Sequence, residues 1–222
     1  MTQSTPRIVD LTLPIAPGDG RTPTVRCEKW RIEPVGCKPY VANVHYFAHD
    51  SMAGTYLDLP AHIEDCNDGL DAATYPVDQL VDIPATVIHL DRGDGSGKIG
   101  ADELTAVCPP GGLGPAAVLN ALGSRRFDRI APRSVYLGAD AVRWLIDGGV
   151  RLLVADVFES DDDPQAVFET LFAAGVLTVC QPIHLDRLTS PRVRLTVLAP
   201  RFETATQLPC RVVAKMEMPR DE

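Results

Sequence analysis

An alternation of helical and strand patterns between residues 139 and 180 constrains the fold more than any other feature of the sequence. Apolar residues at helical spacing predict a helix over Ala139–Asp147, which a Gly-Gly pair ends. A buried strand is predicted over Leu152–Val157, and a second helix is predicted to begin at a cap on Asp163 and to end at Gly175. Another strand follows over Val176–Cys180. Because helices that connect neighbouring strands favour parallel pairing, the pattern predicts an α/β protein.

Strand patterns also occur on both sides of this segment. Runs rich in β-branched residues predict strands over Ile8–Leu13, Val41–Ala48, Ala85–Leu90, Ala116–Leu122, Val193–Leu198 and Arg211–Ala214. No internal repeat and no long linker separates these runs. We therefore expect a single domain over residues 1–222.

Composition and charge argue against several classes of function. No stretch approaches the roughly 18 apolar residues of a membrane span. The 21 basic and 30 acidic residues give a net charge of −9, which disfavours binding to nucleic acid. The N-terminus has no basic segment followed by an apolar one, so no signal peptide is predicted. The six cysteines form no C-x-x-C pair, and we expect them to be free thiols of a cytoplasmic protein.

Polar residues suited to catalysis concentrate between His49 and His62, a segment that holds two of the five histidines. A neutral imidazole accepts a proton near neutral pH, and a phenol donates a hydrogen bond to an oxyanion. We therefore predict that His62 is a base, that Tyr56 is an oxyanion donor and that Asp58 orients His62. The alternative is structural: Asp58 caps a turn before Pro60, and His62 packs under the sheet.

Four further residues are predicted to contact a substrate. Thr55 precedes Tyr56, and His49 at a strand end offers a second base. Trp30 belongs to an aromatic-rich segment that suits a planar substrate, or is simply part of the core. Glu159 lies in an acidic cluster over residues 156–163, which alternatively forms a solvated loop and a helix cap.

The core Gly-Thr-x-x-Asp-x-Pro-x-His at residues 54–62 resembles a signature of the cyclase superfamily, His-x-Gly-Thr-His-x-Asp-x-Pro-x-His. That superfamily includes bacterial kynurenine formamidase and isatin hydrolase. Five other segments are also similar to the family and occur in the same order along the chain. They are Ile8–Thr12, Ala139–Asp156, Phe168–Gly175, Leu185–Leu188 and Leu208–Arg211. The resemblance implies a swivelling β/β/α-type cyclase fold, with a mixed sheet and flanking helices, and a homo-oligomer.

The resemblance also implies a pair of zinc or manganese ions that activate water. The matching positions in this chain are Met52, Tyr56, Asp58, Phe168 and Cys180, so four of the five differ from the family's ligands. Because thioether and benzyl groups are not zinc ligands, we expect no cofactor. Zinc or manganese would then require a rearranged site, for which the candidates are His49, Asp58, His62 and Cys180.

Three functions remain open at this point. Proton transfer without activated water suits a cyclase that closes or aromatises a ring on a polyketide-like intermediate, as in the antibiotic-pathway branch that the chain resembles. The alternative enzyme is a kynurenine formamidase-like (arylformamidase) amide hydrolase, which needs the rearranged metal site. The third alternative is a non-catalytic binding subunit of the same fold. For the two enzymes we expect a small aromatic or polyketide molecule as the partner.

Overall fold

The computed structural model describes residues 7–16, 24–90, 92, 97–125, 130–131 and 133–216. The prediction that the chain has no signal peptide concerns residues 1–6, which lie outside these ranges. The strands are β1 (Ile8–Asp10), β2 (Thr24–Ile32), β3 (Tyr40–Ala48), β4 (Tyr56–Asp58), β5 (Ile83–His89), β6 (Gly97–Ile99), β7 (Ala116–Asn120), β8 (Val135–Leu137), β9 (Leu152–Ala155), β10 (Leu177–Cys180), β11 (Arg192–Leu198), β12 (Gln207–Pro209) and β13 (Arg211–Met216). The helices are α1 (Ala101–Val107), α2 (Ala139–Asp147) and α3 (Val167–Ala173).

One mixed sheet contains nine of these strands, in the order β1-β13-β11-β5-β7-β9-β10-β4-β12. The central strands β5, β7, β9 and β10 are parallel, because α1, α2 and α3 each cross over between two of them. The remaining pairs of this sheet are antiparallel. The predicted α/β class, with a mixed sheet and flanking helices, is therefore confirmed.

The sheet separates two apolar clusters. Along β9, Leu152 and Val154 belong to one cluster and Leu153 and Ala155 to the other, as alternation along a strand requires. The three helices pack on the second cluster, which places them on one face of the sheet. None of the described helices is long and apolar enough to cross a membrane.

The second predicted helix starts later than expected. The helix α2 has the predicted bounds, but α3 begins at Val167 rather than after Asp163. Tertiary contacts hold Asp163 elsewhere: its carboxylate accepts a hydrogen bond from the Tyr136 hydroxyl at 2.9 Å and contacts Lys98 Nζ at 3.2 Å. Ala166 then has a φ of 51°, which is not helical. A helix cap inferred from local sequence is thus overridden by contacts that the local sequence does not show.

Candidate functional site

The strand β4 is the element that assembles the candidate site. It pairs with β10 on one side and with β12 on the other, both antiparallel. Asp58 lies opposite Thr178 on β10 and opposite Gln207 on β12. Because alternate residues of a strand share a face, Tyr56 and Asp58 point to one side and Leu57 to the other. A single 3-10 turn with Pro60 at its start then brings His62 back beside this group.

Asp58 is a buried carboxyl group with an incomplete set of partners. It is only 4% exposed, and its Oδ2 accepts hydrogen bonds from the Thr178 hydroxyl at 3.4 Å and the Cys180 thiol at 3.6 Å. Its Oδ1 is buried without a hydrogen-bond partner among the described residues. Burial raises the pKa of Asp58, and the neighbouring Gln207 and His62 oppose this rise in part. The hydrogen bonds that Asp58 accepts come from side chains, so among the described residues it does not cap a turn as the structural alternative predicts.

Three proton-bearing groups, one phenol and two thiols, lie near this carboxyl group. Burial raises the pKa of Tyr56, and the neighbouring Cys180 and Asp58 add to the effect, so the phenol keeps its proton at neutral pH. Cys180 is buried, and burial followed by Asp58 raises the pKa of its thiol as well. Burial and Asp58 also raise the pKa of Cys210 to about 12. The centre is therefore surrounded by protonated groups rather than by thiolates or a phenolate.

His62 lies at the exposed rim of this group, with a hydrogen-bond partner that the sequence does not predict. The Ser51 hydroxyl donates to Gln207 Oε1, and the Gln207 amide donates to His62 Nε2 at 3.2 Å. The imidazole also meets Phe172 edge-on, with ring centroids 6.4 Å apart. Gln207, rather than Asp58, therefore orients the imidazole, and Nε2 is the nitrogen without a proton. The prediction that Asp58 orients His62 is corrected in this respect.

The four predicted substrate contacts do not gather around Asp58. Thr55 is 1% exposed, and its hydroxyl donates to the Gln181 carbonyl at 2.7 Å and accepts from the Leu13 backbone N–H at 2.7 Å, so it joins two chain segments. Glu159 accepts a hydrogen bond from the Val167 backbone N–H at 3.2 Å, so it caps α3, as the structural alternative holds.

The other two predicted contacts are exposed. The His49 Nδ1 atom pairs with the carbonyl of Asp50 at 2.8 Å, and the Trp30 indole donates to Glu28 at 3.1 Å within the β2–β3 ribbon. The aromatic side chain of Trp30 is 48% exposed, which rules out the alternative in which it is part of this chain's core.

Sequence reasoning missed Gln207, Thr178 and Cys210. Gln207 is far from His62 in sequence and belongs to no catalytic motif. Its one available signal is its place directly before Leu208–Arg211, a segment that the resemblance already matched. Phe168 and Cys180, which resemblance assigns to metal-ligand positions, do line one small cavity together.

The fold is similar to that of several solved structures at low sequence identity. An isatin hydrolase A from Labrenzia aggregata, bound to benzyl benzoate, matches with a TM-score of 0.72 at 20% identity, over 94% of this chain and 93% of that one. A structure described as a predicted metal-dependent hydrolase from Bacillus stearothermophilus matches with a TM-score of 0.70 at 20% identity, over 95% of this chain and 98% of that one. A third, described as a potential metal-dependent hydrolase with cyclase activity, matches with a TM-score of 0.71 at 20% identity, over 97% and 100% of the two chains. These similarities establish the fold.

The expectation that the protein uses no cofactor is contradicted by this comparison, because two of these structures are described as metal-dependent hydrolases. The donor set around Asp58 fits a metal ion only in part. Asp58 and Cys180 are in contact, but the described residues contain no group of three or more His, Cys, Asp or Glu side chains placed to hold a metal ion. The residues present thus do not match the three protein ligands that catalytic zinc sites use.

No curated protein matches the sequence. A family model described as "Putative cyclase" matches residues 9–162, which is more than half of the 222 residues and includes β4, the turn to His62 and α2. The match extends from β1 into the acidic cluster and so spans the parallel core of the sheet up to β9. The chain therefore belongs to the cyclase family of enzymes.

Proposed function

We propose that this enzyme closes or aromatises a ring on a small polyketide-like substrate by proton transfer between the substrate and the group formed by Tyr56, Asp58 and His62. The observation that carries the proposal is the placement of a buried carboxyl group and a partly buried phenol beside an exposed imidazole. Burial raises the pKa of Tyr56 and of Asp58, and the side-chain amide of Gln207 lies 3.2 Å from Nε2 of His62 at the exposed rim. A candidate base and a phenol donor thus lie around one buried carboxyl group.

The chemistry of ring closure uses such a group directly. A substrate that displaces the Gln207 amide from His62 Nε2 delivers a proton from an activated CH2 group to that nitrogen. The resulting enolate attacks a carbonyl carbon of the same molecule, so one carbon–carbon bond forms and the carbonyl oxygen becomes an alkoxide. The Tyr56 hydroxyl donates a hydrogen bond to this oxygen, which then takes up the proton held by His62 Nε2, so that the base is regenerated. Loss of water, with the protons returned through the same groups, completes an aromatic ring.

A linear tetraketone is a suitable probe, because its aldol closure with loss of water gives a dihydroxyacetophenone that absorbs in the near ultraviolet. We expect His62→Ala to lower the rate of closure by at least about 100-fold, the usual contribution of a positioned base. Tyr56→Phe is expected to lower it by about 10- to 1000-fold through loss of the oxyanion donor. His49→Ala is the matched control and is expected to keep the wild-type rate. Full activity of His62→Ala would overturn the proposal.

Hydrolysis of a carbon–nitrogen bond is the second candidate, and the isatin hydrolase among the similar structures favours it. Isatin and N-formylkynurenine are the two probes, each offered with Zn²⁺ or Mn²⁺ and again after treatment with a chelator. Turnover of either probe that the chelator abolishes, without closure of the tetraketone, would replace ring closure by hydrolysis. Closure of the tetraketone without turnover of the amides would support ring closure.

We further propose that the enzyme is a homo-oligomer in the cytoplasm. The β2–β3 ribbon supports the first part: within the described residues its strands pair only with each other, and a two-stranded ribbon is marginally stable by itself. Its large apolar side chains are exposed, with Phe47 at 69%, Val41 at 57% and Tyr40 at 56%. Multi-angle light scattering is expected to give a mass of at least two chains of 24.0 kDa, and the double variant Phe47→Ser, Val41→Ser is expected to lower the mass to that of one chain.

The cytoplasmic part of the proposal is supported by the six free cysteines, which fit a reducing compartment.

A further inference from the structure

A cavity of about 300 Å³ lies on the face of β4 that is turned away from Asp58. Leu57 lines this cavity, and neighbouring residues of a strand point to opposite faces, so the cavity and the Asp58 group are separated by the strand itself. Leu59, Leu80 and Val197 form further parts of its wall. The cavity is thus distinct from the candidate catalytic group, although both use β4.

The cavity has the size and the lining of a ligand site. Small-molecule sites begin at about 300 Å³ and combine apolar walls with a few polar groups. Leu57, Leu59, Leu80 and Val197 all belong to the apolar cluster on this face of the sheet. The side chains of that cluster therefore leave this space unfilled. Side chains around an unfilled apolar space lose packing contacts, and water gains few hydrogen bonds there. An apolar occupant would restore those contacts.

One cation and one hydroxyl group supply the polar component. Among the described residues that line the cavity, Arg201 alone carries a charge. Its Nε and Nη2 atoms donate to the Ala73 carbonyl at 3.2 and 2.9 Å, which fixes the plane of the guanidinium group. A guanidinium has five N–H donors, and these two contacts leave others for a ligand. The Tyr75 hydroxyl, which donates to Gln79 at 3.3 Å, is the second polar group.

We propose that this cavity binds a small organic anion, whose apolar body fills the space between Leu57, Leu80 and Val197 and whose carboxylate pairs with Arg201. Arginine and a carboxylate form charge-assisted hydrogen bonds, which gives the site selectivity for an acid over a neutral molecule of the same shape. The proposal rests on residues that ring closure does not use. It therefore stands or falls independently of the proposed function.

Phenylpropionate and phenylpropanol are matched probes for this site, because they share an apolar body and differ in charge. Isothermal titration calorimetry is expected to show that the wild-type protein binds phenylpropionate at least tenfold more tightly than phenylpropanol. Arg201→Gln is expected to remove this preference, and Ala199→Phe, which places a benzyl group at the cavity wall, is expected to abolish binding of both probes. Arg187→Gln, at an exposed arginine outside the cavity, is the matched control and is expected to bind like the wild type.

Three results would overturn the proposal. They are failure of the wild type to bind phenylpropionate at millimolar concentration, wild-type selectivity in Arg201→Gln, and undiminished binding in a folded Ala199→Phe protein. If Ala199→Phe does not fold, as circular dichroism would show, Arg201→Gln decides by itself because Arg201 is exposed. Asp58→Asn is expected to leave the binding of phenylpropionate unchanged, which separates this site from the catalytic group.

Discussion

Asp156 is a buried carboxyl group whose titration should govern how the stability of the protein depends on pH. It directly follows β9 and is 5% exposed. Its Oδ1 accepts a hydrogen bond from the Ala121 backbone N–H at 2.7 Å, and its Oδ2 accepts one from Leu122 at 3.2 Å. These bonds favour the ionised form, but burial outweighs them and raises the pKa of Asp156 from 3.8 to about 7.

The sign of the effect follows from proton release. Between pH 3.8 and about pH 7 the folded protein keeps this proton, whereas the unfolded chain has lost it. Because the folded state binds more protons, the free energy of unfolding falls as pH rises. The slope contributed by one proton is about 1.4 kcal/mol per pH unit. Integrated from about pH 5 to about pH 8, the loss from Asp156 is about 2.5 kcal/mol.

Urea unfolding of the wild type and of Asp156→Asn across this pH range measures the effect. The difference in unfolding free energy between the two proteins is expected to shift by about 2.5 kcal/mol in favour of the variant as pH rises. Groups that titrate in both proteins, including Asp58, cancel in this difference. Asp147→Asn, at an exposed carboxylate at the end of α2, is the matched control and should follow the wild type. A difference between wild type and Asp156→Asn that is independent of pH would refute the reasoning.

Three further predictions concern the candidate site and its support. Gln207→Leu removes the amide that donates to Nε2 of His62. The ¹⁵N chemical shifts of the imidazole ring are then expected to show less of the tautomer that carries its proton on Nδ1. Unchanged chemical shifts would argue against the assigned hydrogen bond. Thr55→Val leaves two partly buried backbone groups without this partner and is expected to lower the unfolding free energy by about 2 kcal/mol in urea. An effect near zero would show that the hydroxyl is dispensable. The combined change Cys180→Glu and Phe168→His exchanges a buried thiol for a carboxylate and adds an imidazole within one cavity, so Zn²⁺ should bind at least about tenfold more tightly than to the wild type in a competition titration. Equal affinity would contradict the geometry.

The parts of the fold that the sequence predicts are those specified by local patterns. The bounds of α2 follow from apolar spacing and the terminal glycines, and β7, β9 and β10 follow from short apolar runs. The start of α3 is not local, because Asp163 binds Tyr136 instead of capping the helix. The strand β2 is also missed: it is exposed over most of its length and shows little of the alternation that identifies a half-buried strand.

The candidate site divides in the same way. The sequence singles out Tyr56, Asp58 and His62 as candidates because they lie within one short motif. Gln207 joins them only because β12 pairs with β4, and that pairing connects segments that are distant in sequence. The Thr55 hydroxyl is misassigned for a related reason, since its partners Leu13 and Gln181 come from opposite ends of the chain. Spacing identifies candidates for catalysis, but long-range pairing decides which of them face a substrate.

The environment of Asp58 explains why stability alone is a poor account of this centre. A buried carboxyl oxygen without a partner costs about 1 to 3 kcal/mol, and Oδ1 is such an atom among the described residues. Close to it, burial holds protons on Tyr56 and Cys180, so the interior of the site is rich in donors. The acceptor nitrogen of His62 lies outside this interior, at the exposed rim. Buried donors beside an exposed imidazole are the features from which the proposal of proton-transfer chemistry is argued.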